Sequence, residues 1–131
     1  MTRSNIDIAR TYFQAVQTGD MGTLGELLDA DIVWHQPGAH QFSGEHKGRD
    51  AVFQMLGSMM ETSRGSFAID KIHTLMGNGD LVAATIHFSG RHGDAAMSMD
   101  GVDLLRIAGG KITEMWLFSG DPAAEDAFWG R

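Results

Sequence analysis

The hydrophobic period of this chain changes once, near residue 66, and the change dictates what the chain can fold into. Ahead of it, apolar residues return every three or four positions; beyond it they return every second position. Ile6, Ala9, Phe13 and Val16 share a helical stripe with Tyr12 beside it, and Ser4 stands three residues ahead of Asp7 as a capping box. A helix is predicted from about Ser4 to Thr18, stopped by Gly19. Asp20 can cap a second, short helix carrying Met21, Leu24, Leu27 and Leu28 and ending near Asp29. Ile32-Val33-Trp34-His35 reads as a strand broken by Pro37-Gly38, and residues 38–48 read as a loop of functional length. Val52, Phe53, Met55, Leu56, Met59 and Met60 give a broad apolar face to a third helix from about Arg49 to Thr62, which Gly65 ends. Four period-two runs follow, near 66–76, 81–89, 96–108 and 111–119, joined by glycine-rich connections suited to hairpins. Three helices first and strands afterwards predict an α+β fold, with the helices on the concave face of a strongly curved, mostly antiparallel sheet.

At 131 residues, with 43% hydrophobic and 21% charged residues, the chain reads as one domain, 1–131, large enough to hold a core and a pocket. It has no cysteine, so disulfides and thiolate metal sites are ruled out. Ten Lys and Arg against 17 Asp and Glu give a net charge of -7, and no basic run exists to track a phosphate backbone. Nucleic acid is not an expected partner, nor is a membrane, and a cytoplasmic location is expected. No glycine-rich phosphate loop suggests a cofactor, and none is expected. His35, His40 and His46 are too loosely spaced, and too far from a rigid carboxylate, to read as a metal site; His40 and His46 are expected to be solvated loop residues.

Trp34-His35-Gln36-Pro37-Gly38, Gly48-Arg49-Asp50-Ala51-Val52, Gly110-Lys111-Ile112 and the closing Phe128-Trp129, in this order of elements, resemble the SnoaL-like branch of the nuclear transport factor 2 (NTF2-like) superfamily. The resemblance spans nearly the whole chain. It implies a cone-shaped fold with an apolar pocket between sheet and helices, and a homodimer through the outer sheet face. Compared with the ketosteroid isomerase relatives, it places the oxyanion-hole tyrosine on Tyr12 and the protonated aspartic acid on Asp103, whose strand turns Met99, Gly101, Leu105 and Ile107 to the same face. The family's general-base aspartate falls on Gln36, and a side-chain amide cannot take up a proton near neutral pH. The same register turns Ala83, Thr85, His87 and Ser89 inward, which makes His87 the substitute base.

Alternation sends Trp34 and Gln36 to one face of the first strand, as pocket wall, and His35 to the other, beneath the third helix. Met55, Met99 and Met115 are expected to line the cavity, since flexible thioethers suit flat or variable apolar ligands. Glu114, Trp116 and Phe118 fall on the outward face of the last strand, with Val102 and Leu104 beside them, an apolar patch suited to a two-fold contact. The expected activity is cofactor-independent proton transfer next to a carbonyl in a hydrophobic small molecule, of the isomerase or cyclase type. Asp103 and Tyr12 would donate to the oxyanion and His87 would move the proton. Two alternatives stand beside it. One is a non-catalytic binding or assembly module of the same fold; the other is an epoxide-hydrolase-type enzyme, which would need Arg106 beside Asp103, whereas strand parity separates the two.

Overall fold

The computed structural model describes residues 4–131. Helix α1 (Asn5–Thr18) begins where the Ser4 side chain accepts from the Asp7 amide at 3.1 Å, and ends at Gly19, whose φ of 71° only glycine adopts readily. Its fully buried stripe is Ile8, Ala9, Tyr12, Phe13 and Ala15. Asp20 caps α2 (Met21–Leu27) through the Thr23 amide and hydroxyl. Strand β1 (Leu28–Gln36) follows at once, and the segment expected to be loop contributes β2 (Gly44–Lys47), antiparallel to β1 with Trp34 opposite His46. Helix α3 (Arg49–Thr62) has the expected bounds; Val52, Met55 and Met59 are buried, whereas Met60 is exposed.

The period-two half forms β3 (Ala68–Asn78), β4 (Leu81–His92), β5 (Ala95–Ala108) and β6 (Lys111–Ser119) as a meander. The last element, α4 (Pro122–Trp129), starts at an Asp121 cap with Pro122 in the first turn. The strand order is β2-β1-β6-β5-β4-β3, all antiparallel except β1 with β6, which run parallel. The four helices pack on this curved sheet as an α+β cone. Helix α1 lies against β3 and β4, α3 against β1 and β2, and α4 against β5. The core is the volume between them, with Leu28, Ile32, Val52, Leu105, Ile112 and Met115 almost wholly removed from solvent. Among the described residues no helix is long and apolar enough to cross a membrane.

Candidate functional site

Strand parity decides which side chains enter the cone, because directly paired residues share a face of the sheet. On β5 the inward set is Met97, Met99, Asp103, Leu105 and Ile107. Asp103 stands opposite Ala84 of β4 and Leu117 of β6. The inward set on β4 is therefore Val82, Ala84, Ile86, Phe88 and Gly90, which are buried in alternation. This corrects the expectation for His87. With Ala83, Thr85 and Ser89 it faces outward, where His87 meets Asp70 and Ser98. The observed register differs by one residue from the expected one on this strand, and a one-residue slip exchanges the two faces.

Tyr12, Trp34, Gln36, Met55, Met99, Asp103 and Met115 are all buried, with Tyr12 at 2% and Asp103 at 3% exposure. The Tyr12 hydroxyl donates to the Met115 sulfur at 3.9 Å, a weak partner, and the Ser119 hydroxyl approaches the Met99 sulfur at 3.2 Å. The Trp34 indole N–H donates to Gln36 Oε1 at 2.9 Å, so the acceptor end of that amide is used and its NH₂ is left as a donor. Two hollows, of about 420 and 310 Å³, lie elsewhere: one at the β4–β5 hairpin and one between α1 and β3. Neither is lined by Tyr12 or Asp103, which are buried.

Glu125 of α4 is a further interior carboxyl that the sequence reading missed; it is 4% exposed and accepts from its own helix's Trp129 indole N–H at 3.1 Å. The three polar groups are coupled. Burial, then repulsion from the Glu125 carboxylate, pushes the Asp103 carboxyl up to about 7 from 3.8. Burial also raises Glu125, opposed by hydrogen bonds from Trp129 and Ser119. Burial, and secondarily Asp103, lifts the Tyr12 phenol well above 10, so it remains a donor at any neutral pH. The signal for Glu125 was present in Asp121-Pro122, a cap and first turn, followed by Glu125, Phe128 and Trp129 at helical spacing.

The expectations for three histidines are also corrected. His35 is not beneath α3: the buried face of β1 is the one the helices cover, and it carries Trp34 and Gln36. His35 stands on the outer face, 2.7 Å from Glu114 and stacked on Trp116 at 5.4 Å. His40 is not solvated but 7% exposed, packed against Phe42 and Trp129, and burial lowers its pKa. His46 is half-buried and bonds the Phe42 carbonyl. Arg106 is on the outer face, pairing with Glu114 and covering Trp116 at 5.2 Å, away from Asp103. Among the described residues no group of three or more His, Asp or Glu side chains could hold a metal ion.

A cystatin-like-fold protein of Xanthomonas campestris is 53% identical, covers 98% of this chain and 100% of its own, and superposes with a TM-score of 0.96. At the level of fold the chain is similar to an NTF2-like protein of Burkholderia xenovorans (22% identity, 96% and 95% coverage, TM-score 0.80). It is similar in the same way to TerC co-crystallized with polyporic acid (17% identity, 95% and 96% coverage, TM-score 0.80). Residues 9–115 match the SnoaL-like domain family, so this chain, with its α+β cone and inward Tyr12 and Asp103, belongs to that family and carries the NTF2-like fold.

Proposed function

We propose that the chain binds a small, largely apolar carbonyl compound inside the cone and moves a proton next to that carbonyl without a cofactor. The observation that carries this reading is Asp103: a carboxyl buried on the inner face of the sheet, raised to about 7, that can remain protonated and donate a hydrogen bond. Tyr12 supplies a second donor, and Trp34, Gln36, Met55, Met99 and Met115 form the wall. With Gln36 unable to act as base and His87 outside, Glu125 is the interior group that can take up the proton. Its bonds from Trp129 and Ser119 favour the anion, while Asp103 has no such bond holding it ionised. The buried methionines can shift to admit a ligand, since an unbranched thioether changes rotamer at low cost. That TerC, which shares this fold, was co-crystallized with polyporic acid supports a small-molecule-binding role.

Deuterium exchange at the carbon next to the carbonyl, followed by NMR over a panel of apolar ketones, tests the reading without knowledge of the natural substrate. Asp103→Asn keeps a donor and should retain exchange within about tenfold, whereas Asp103→Ala should lose on the order of 100-fold, the usual cost of an oxyanion donor. Glu125→Gln should abolish exchange while ligand-induced thermal stabilisation persists. Equal losses for the Asn and Ala variants would exclude the donor role. Stabilisation by ketones without any exchange would favour a binding module.

We further propose a homodimer through the outer face of β5 and β6, supported by Phe118, which is 55% exposed, next to Trp116.

A further inference from the structure

The outer face of β3, β4 and β5 carries a line of side chains for which the interior has no use. His87 Nδ1 lies 2.5 Å from Asp70 Oδ1, and His87 Nε2 lies 3.0 Å from Ser98 Oγ. The Ser89 hydroxyl donates to the second Asp70 oxygen at 2.7 Å. Three adjacent strands supply the group: Ser98 pairs with Ser89 across β4 and β5, His87 lies two residues before Ser89 on β4, and Asp70 precedes Lys71, the β3 partner of His87. Partial burial works to raise the Asp70 carboxyl, but the hydrogen bonds from His87 and Ser89 outweigh it and hold Asp70 below the ordinary value. An ionised Asp70 accepts the Nδ1 proton, which leaves Nε2 as the acceptor facing the Ser98 hydroxyl.

We propose that Ser98, His87 and Asp70 form a second site, an outward-facing acyl-transfer centre that hydrolyses small esters with short acyl chains. Each part such a centre needs is present around Ser98. Ser98 is exposed and lines the hollow of about 420 Å³, with Gly90, Ala96 and Met97 as its apolar lining. That space suits a short acyl group rather than a long chain. Arg91 is the charged residue of the lining, and among the described residues no carboxylate pairs with it. A backbone donor is also at hand. Strand β6 pairs with β5 only as far as Gly101, and the Gly120 amide reaches the Asp100 carbonyl from that side. Backbone groups of alternate residues point to the same edge, so the Ser98 N–H, like the Asp100 carbonyl, faces the edge that β6 has left.

In the reaction Ser98 Oγ bonds to the ester carbonyl carbon as its proton passes to His87 Nε2. The carbonyl electron pair moves onto oxygen, facing the Ser98 N–H and Arg91. Collapse of this intermediate breaks the carbon–oxygen bond to the alcohol, which leaves with the proton from His87. Water then adds to the acyl-serine with His87 taking its proton, and collapse releases the carboxylic acid and returns a proton to Ser98.

A fluorophosphonate probe, with the adduct located by peptide mass spectrometry, and hydrolysis of p-nitrophenyl acetate test the proposal on the intact protein. One adduct on Ser98 is expected, and Ser98→Ala and Asp70→Asn should each lower hydrolysis by at least about 100-fold. Ser58→Ala, on α3, should change neither readout. Absence of an adduct on Ser98 overturns the proposal. So does wild-type hydrolysis by Ser98→Ala, which would make His87 a lone surface nucleophile. All three side chains are on the outer face, so a thermal melt of each variant separates loss of chemistry from loss of fold, and the readouts are independent of ketone exchange in the interior.

Discussion

Asp103 is held in the interior at a cost in stability that depends on pH. Its folded value is raised from 3.8 to about 7, so between these limits the folded chain binds a proton that the unfolded chain has released. Stability contributed at this position therefore falls as pH rises from about 4 to about 7 and is level above that, a loss on the order of 4 kcal/mol if the whole displacement is realised. Asp103→Asn removes the ionisation. In urea melts it should be more stable than the parent at pH 8, by about 2 kcal/mol or more, with the gap closing towards pH 4. The same proton sets the sign for the proposed chemistry: ketone exchange should fall as pH rises through about 7, as the neutral donor is lost, and a rate that kept rising would contradict the role. The inward faces of Tyr12, Trp34, Gln36 and Asp103 were legible in the sequence. His87 was legible too, by a different route. Val82, Ala84, Ile86 and Phe88 are the apolar set of that strand, and reading them as the buried face would have turned His87 outward without reference to a family.

At the level of elements, what the sequence conceals is what lacks periodicity. Strand β2 is the four residues Gly44-Glu45-His46-Lys47, polar throughout, and exists because β1 offers it an edge. Helix α4 is eight residues long, too short for its stripe to stand out, although its cap and proline were in view. Its docking depends on a close approach: a Cβ at Gly90 would lie 2.9 Å from Phe128 Cζ. Gly90→Ala should therefore lift Phe128 and cost about 1–3 kcal/mol in denaturant melts, as overpacking does, and Phe128→Leu in the same chain should recover part of that loss. A fully additive pair of losses would show that α4 does not seat on Gly90. The hairpins, by contrast, were fixed by glycine: Gly79, Gly93 and Gly109 all take positive φ, where a side chain would strain the turn.

For the whole molecule, the outer face is divided between charge and ring. Trp116 stacks with the His35 ring and is covered by the Arg106 guanidinium, while Phe118 is exposed beside it. Trp116→Glu would place a charge twice at a two-fold contact, so sedimentation should show a dimer for the parent at micromolar concentration and a monomer for the variant. A stable monomer for the parent would remove the dimer. The parallel pairing of β1 with β6 has a temporal consequence. Residues 28–36 cannot find their inner neighbour until residues 111–119 exist, so a chain emerging from synthesis carries an unfinished sheet for nearly its full length. Loop closure of that span precedes any gain from it, which places this fold among the slower folders, in the millisecond to second range. A nascent chain interrupted before β6 would present β1 as an open edge to any strand nearby, including that of its neighbour on the same message.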